Sequence, residues 1–143
     1  TRYDAVLKKV QASDTPIYSI GTGQTMREMY EARGGMDSSQ SIGFLQADNQ
    51  LRSFSRYSGG KAYFPRFEGQ FGEIYNDISA SLRNEYNISY SPTNTAHDGK
   101  FRKLKVELID ADGKPLKIVD EKGKELKYEI RAREGYYAPR AVD

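Results

Sequence analysis

Residues 71–91, FGEIYNDISASLRNEYNISYS, hold a helix pattern that runs directly into a strand pattern. Apolar side chains recur on one helical stripe at Phe71, Ile74, Tyr75, Ile78 and Leu82. The next segment, residues 87–90, predicts a short strand that ends before Pro92. A helix followed at once by a strand is typical of α/β domains, in which helices connect parallel strands.

The same alternation continues upstream and predicts an α/β domain over residues 1–91. The patterns predict helices over 3–11, 25–32 and 51–57, strands over 17–20 and 61–64, and an irregular loop over 34–48. The third helix is expected to close at Gly59-Gly60, because glycine suits a left-handed C-terminal cap.

Downstream of Pro92 the pattern changes to that of an antiparallel β tail, residues 92–143, packed on or extending the same sheet. Apolar and charged residues alternate over 101–108, which predicts a half-buried strand. Further patterns predict a turn at 110–113, a hairpin within 114–127 and a last strand over 128–133.

Composition excludes several classes of site. The 143 residues include no cysteine and one histidine, His97, so disulfides, thiolate chemistry and multi-histidine zinc sites are excluded. A net charge of +2 is too small to indicate nucleic acid as the main partner. The apolar runs are too short for a membrane-spanning helix.

Five phrases, in order, resemble the C-terminal half of a von Willebrand factor A (VWA) domain, and more closely the VWFA-related family common in Acidobacteria. They are IYSIGTG at 17–23, SGGKAYFP at 58–65, LRNEYNISYSP at 82–92, DGKFRKLKV at 98–106 and RAREGYYAP at 131–139. The resemblance implies a Rossmann-like fold whose late strands are 17–20 and 61–64, followed by the antiparallel β extension.

The same resemblance implies an exported protein, extracellular or periplasmic, that binds other proteins. The family's metal-ion-dependent adhesion site would precede Thr1, so its Mg²⁺ would be bound outside this chain and no cofactor is expected within it. The resemblance also implies that the central strands of the sheet lie outside this chain. We therefore expect another protein chain, or the missing N-terminal half of the same protein, to cover the exposed face.

Asp37, Ser39 and Ser41 spell the D-x-S-x-S pattern of that adhesion site. One carboxylate and two hydroxyls suit a hard cation such as Mg²⁺. However, no buried strand precedes them to fix their oxygens, so the sequence favours a flexible loop here over a metal site.

Three other polar motifs can be interpreted either as functional sites or as simple turns. His97-Asp98 resembles a general-base pair for catalysis, but no nucleophile motif accompanies it, and an exposed turn is favoured. Asp110 and Asp112 match a calcium loop only in part, with Glu121 an approximate fit at the last position, and a β-turn is favoured. The Gly21-Thr22-Gly23 loop has no third glycine at Rossmann spacing.

Tyrosine and arginine side chains concentrate in the β tail, and both types are enriched at protein interfaces. The partner-binding candidates are Tyr128, Arg131, Arg133, Tyr136 and Tyr137. Packing between the tail and the helices could use the same side chains. We expect a non-enzymatic protein-binding or assembly module. The alternative is an accessory segment of a metal-dependent or hydrolytic enzyme whose active residues lie outside this chain.

Overall fold

Four α-helices and three pairs of short strands form a mixed α/β protein in the computed structural model, which describes residues 2–140. The α-helices are α1 (Tyr3–Ala12), α2 (Gly23–Ala32), α3 (Ser38–Ser58) and α4 (Phe71–Arg83), with a 3₁₀ turn at Glu68–Gln70 before α4. The strands are β1 (Ser19–Ile20), β2 (Ala62–Tyr63), β3 (Phe101–Lys103), β4 (Ile118–Val119), β5 (Glu125–Leu126) and β6 (Gly135–Tyr137).

Helices α1, α2 and α4 confirm the periodicity of the sequence. The apolar stripe of α4 buries Ile74, and that of α1 buries Val10. Helix α1 packs on α3, where the rings of Tyr3 and Phe54 stack with centroids 5.5 Å apart. The apolar stripes of α1 and α4 therefore set the position of those two helices, whereas Met26, Met29 and Tyr30 of α2 are exposed.

Helix α3 corrects the prediction of a loop over 34–48, because helix begins at Ser38 and continues without a break through the helix expected at 51–57. A capping box starts it: the Asp37 carboxylate accepts from the Gln40 backbone N–H at 2.8 Å, and the Gln40 side chain accepts from the Asp37 N–H at 3.3 Å. The helix ends as expected at Gly59, whose φ is +84°.

Strands β1 and β2 are parallel, with Ser19 opposite Ala62 and Ile20 opposite Tyr63. Both strands contact α3. Ser55 of α3, 1% exposed, donates from Oγ to the Ser19 Oγ at 3.0 Å. The two expected strands, 17–20 and 61–64, are thus present but shorter, and they form a two-stranded sheet.

The β tail contains a strand pair and a hairpin. Strands β3 and β6 pair antiparallel, and β4 pairs with β5 as the expected hairpin. The expected turn at 110–113 is also present, with the Asp110 N–H donating to the Lys114 carbonyl at 2.8 Å. Strand β6 lies against α1, so the tail returns to the start of the chain.

Two strand predictions in this region are wrong, and a third is confirmed only in part. Residues 87–90 form no strand, the strand over 101–108 stops at Lys103, and the last strand is β6 rather than 128–133. The alternating pattern is real in each segment, but a strand also requires a neighbouring backbone with which to exchange hydrogen bonds. Within residues 2–140, residues 87–90 and 128–133 find no such neighbour. Beyond Lys103 the third segment keeps single backbone bonds, from the Leu104 N–H to the Glu134 carbonyl and from the Leu116 N–H to the Leu108 carbonyl.

Candidate functional site

The carboxylate of Asp77 connects α4, β2 and the tail. It accepts hydrogen bonds from Lys61 Nζ at 2.8 Å and from the Tyr63 hydroxyl at 2.7 Å, and Arg131 Nη2 lies 4.0 Å away. The Arg131 guanidinium also donates to the Ser81 hydroxyl at 3.1 Å. This group of side chains fixes the tail against the carboxyl-terminal half of α4.

Hydrogen bonding shifts the ionisation of this group. The bond from the Lys61 ammonium, together with that from Tyr63, lowers the pKa of Asp77 below its ordinary 3.8. Burial, reinforced by the bond to Asp77, raises the pKa of the Tyr63 phenol above its ordinary 10.0. Asp77 is therefore charged and Tyr63 neutral at physiological pH, which keeps both hydrogen bonds in place.

Replacing Asp77 by asparagine is expected to remove part of the acid sensitivity of the protein. A carboxylate whose pKa is lowered by folding contributes stability above its unfolded pKa, and that stability is lost as pH falls through the folded pKa, here below about 4. Urea titrations between neutral pH and acid will show a shallower decline of the free energy of unfolding in Asp77→Asn. Tyr63→Phe, which removes one of the two bonds, will give an intermediate slope. An unchanged slope in Asp77→Asn contradicts this role.

The two arginines that the sequence offered for partner binding contact the body of the chain instead of lying free. Arg131 is held by Asp77 and Ser81, as described above. Arg133 donates to the backbone carbonyl of Gln11 at 2.7 Å and forms an ion pair with Asp14. Both guanidinium groups thus join the tail to the first part of the chain.

The three tyrosines of the same set occupy different positions. The Tyr128 hydroxyl donates to the Leu116 carbonyl at 2.8 Å, and much of its ring is exposed. Tyr136 is half-buried in β6 opposite Arg102. Tyr137 is exposed and meets Phe101 edge-on at 5.2 Å. Arg133, Tyr136 and Tyr137 line one cavity together, and Tyr128 is not part of its lining.

The D-x-S-x-S residues start a helix. Asp37 is the N-cap of α3, and the Ser39 hydroxyl donates to its carboxylate at 2.6 Å, which lowers the pKa of Asp37. Ser41 lies in the first turns of α3, where its backbone N–H donates to the Asp37 carbonyl. Within residues 2–140, no group of three or more His, Asp or Glu side chains is placed to hold a metal ion.

The remaining polar candidates make turn contacts. Asp98 accepts from the Lys100 N–H at 3.0 Å and from Arg102 at 2.9 Å, and these bonds lower its pKa. Asp110 accepts from the backbone N–H groups of Asp112 and Lys114 and so builds its own turn. The β-turn interpretation of the Asp110 region is confirmed.

The solvent-accessible area of the chain is large for its mass. The chain exposes 11,363 Å², whereas a folded monomer of 16.2 kDa exposes about 7,500 Å². Large apolar side chains contribute on several elements; examples are Met29, Ile42, Phe67, Tyr75, Tyr86, Ile88, Ile109 and Val119. The chain therefore exposes more apolar surface than a compact monomer of its mass.

The outer edge of β1 is a second open surface. The N–H groups of Ser19 and Gly21 donate toward β2, to the carbonyls of Lys61 and Tyr63. Because successive residues of a strand face opposite edges, the backbone groups of Tyr18 and Ile20 point away from β2. In the described part of the chain, no backbone group pairs with this edge.

One buried ion pair was not found by sequence reasoning. Arg27 of α2 pairs with Asp48 of α3, and both side chains are largely shielded from water. The arginine also lies over the Phe44 ring, 5.7 Å from its centroid. The two charges are 21 residues apart, so no local spacing signals the pair.

Comparisons with protein-family models, with curated proteins and with solved structures found no match. The likeness to a VWA half therefore rests on the five sequence phrases. Among residues 2–140, the helices all lack the combination of length and apolar character that crossing a bilayer requires.

Proposed function

We propose that this chain is a non-enzymatic protein-binding or assembly module whose sheet is completed by a second polypeptide. The observation that carries the proposal is the accessible area, about half again that of a folded monomer of the same mass. Obligate interfaces bury about 2,000–5,000 Å² shared between two partners, so the excess is large enough for a permanent contact.

The outer edge of β1 is the proposed contact. Tyr18 and Ile20 present backbone donors and acceptors there, and adding a strand satisfies them, as in other cases of β-augmentation. Among the described residues, no strand pairs with the opposite edge of the sheet, formed by β2, either. The order of strands along the chain favours the β1 edge as the contact. In a doubly wound sheet with right-handed crossovers, the strands that precede β1 in sequence lie beside β1, on the side away from β2.

The sequence resemblance supports the same assignment. In a VWA-like protein the added strands would come from the N-terminal half of the domain, or from a partner chain that replaces it. The adhesion site and its Mg²⁺ would then belong to that other half. An exported, extracellular or periplasmic location follows from the same resemblance.

Ile20→Pro is expected to abolish this contact while leaving the sheet intact. Proline removes the outward N–H of residue 20, and it requires an extended residue before it, which Ser19 already is. Ala62→Pro removes the matching outward N–H on β2 and is the control. Both variants serve as bait for exported proteins of the source organism, and the affinity of the recovered partner is then measured with the purified proteins.

The proposal requires that the wild-type chain and Ala62→Pro bind the same partner and that Ile20→Pro does not. Circular dichroism of both variants checks that the fold is retained. The opposite result, loss with Ala62→Pro alone, would move the contact to β2. The proposed function would be refuted if the wild-type chain binds nothing and is a stable monomer whose strand edges are all covered.

A further inference from the structure

Residues 86–90, YNISY, form a highly exposed segment without helix or strand between α4 and Pro92. Tyr86 is 88% exposed, Ile88 73% and Tyr90 55%. Within the described residues, the backbone of this segment makes no hydrogen bond with other backbone groups. A strand pattern with large apolar side chains is thus present without a partner, which is the feature that recruits another strand.

The segment is complementary to itself. If two copies run antiparallel about a two-fold axis at Ile88, that residue faces its own equivalent. Tyr86 then lies opposite Tyr90 of the partner subunit, and Asn87 opposite Ser89 of the partner subunit. All aromatic and aliphatic side chains share one face, and no charged residue occurs in the segment. Cross-strand pairs of aromatic residues are stabilising, and an isologous contact requires such self-complementarity.

A groove of about 1,110 Å³ lies beside the segment and provides space for the second strand. Apolar side chains of the tail line it, among them Leu104, Val106 and Ile130. Its charged lining is balanced: Asp14, Glu85 and Glu129 against Lys105, Arg131 and Arg133. A neutral strand therefore fits the groove better than a strongly charged peptide does.

We propose that residues 86–90 mediate homodimerisation by antiparallel pairing with the same segment of a second copy of this chain. Tyr18 of the β1 edge also lines the groove, but residues 86–90 are not part of that edge, so the inference does not depend on the proposed function. Area supports a second contact: one obligate interface removes about 1,000–2,500 Å² from each partner, which is less than the excess of roughly 3,900 Å².

Single cysteines test the register, because the natural chain contains none. Ile88→Cys places two thiols directly opposite each other and is expected to form a disulfide-linked dimer under mild oxidation. Tyr86→Cys alone is not, since its own equivalent lies about 13 Å further along the strand. Mixing Tyr86→Cys with Tyr90→Cys chains should restore cross-linking, as these positions face each other.

Val119→Cys is the matched control for random collisions, because Val119 is 58% exposed and lies on β4, which does not line the groove. Sedimentation equilibrium gives the mass of the wild-type chain, which should be that of a dimer. Ile88→Lys places two ammonium groups on the axis and is expected to weaken the dimer about tenfold or more.

The proposal is overturned if the wild-type chain sediments as a monomer at all concentrations, or if Val119→Cys cross-links as readily as Ile88→Cys. It is also overturned if Tyr86→Cys alone links as well as the mixture, because that excludes this register. Circular dichroism of the reduced variants confirms that exposed substitutions leave the fold unchanged. Ile20→Pro, which blocks the β1 edge, should dimerise normally, so the two proposals fail separately.

Discussion

Replacing Gly60 by alanine is expected to unfold the parallel sheet. A Cβ at position 60 would lie 2.1 Å from the carbonyl oxygen of Ile17 and 2.6 Å from its carbonyl carbon. Both atoms are backbone, so no side chain can rotate away, and β1 must move away from β2. We expect a loss of about 3 kcal/mol in the free energy of unfolding, a large share of the ~5–15 kcal/mol of an ordinary domain.

Gly43→Ala is the matched control for this substitution. Gly43 lies within α3, and a Cβ added there meets nothing within 4 Å. Because alanine favours helix over glycine, this variant should gain about 0.5–1 kcal/mol. Urea unfolding followed by circular dichroism measures both. If Gly60→Ala unfolds at the same urea concentration as the wild type, the close approach of Ile17 and residue 60 is wrong.

The helices were predictable because their information is local. The stripe of α4 and the stripe of α1 each fix one buried face, and Gly59 marks the end of α3. Helix α3 was only half recognised, because serine, glycine and aspartate at its start are also typical of loops. Asp37 and Gln40 already contained the signal: that spacing forms a capping box.

The strands were less predictable, because a strand depends on a backbone that is distant in sequence. The alternation over residues 87–90 and 128–133 shows which side chains share a face, but not whether a partner strand lies alongside. Strand β6 begins only at Gly135, where the lack of a side chain permits close contact with β3. The alternating pattern just before it was mistaken for the paired segment.

The roles of the tail arginines were unpredictable for the same reason. Arg133 and Asp14 are 119 residues apart, and Arg131 and Ser81 are 50 apart. Composition suggests only that arginine is suited to interfaces, and an internal interface between tail and helices satisfies that preference as well as an external one does. The side chains of Tyr86 and Ile88, in contrast, are largely exposed, whereas the Tyr90 phenol interacts with Tyr136 of β6.

Gly135→Ala is expected to detach the tail without unfolding the helices. An added Cβ would lie 2.2 Å from the Arg102 carbonyl oxygen and 2.5 Å from the Phe101 ring. The ring can turn, but the carbonyl belongs to the paired strand, so β3 and β6 must separate. Hydrogen exchange should speed up about a hundredfold at the Leu104 and Ala138 amides, which donate to Glu134 and Lys100, corresponding to ~2.7 kcal/mol of local stability.

The same experiment separates two descriptions of the chain. If the tail is an independent unit, amides of β1 and β2 keep their protection in Gly135→Ala, and Gly72→Ala, which meets nothing within 4 Å, changes neither set. If the arginine contacts to Asp14 and Asp77 make the tail and the helices one cooperative unit, all protected amides will accelerate together. If the Leu104 and Ala138 amides of Gly135→Ala exchange at the wild-type rate, the β3–β6 contact itself is excluded. If only the tail amides lose protection, the β3–β6 pair is a separately stable unit that these ion pairs hold against the helices. That result is expected of partly exposed charges, which contribute little energy individually.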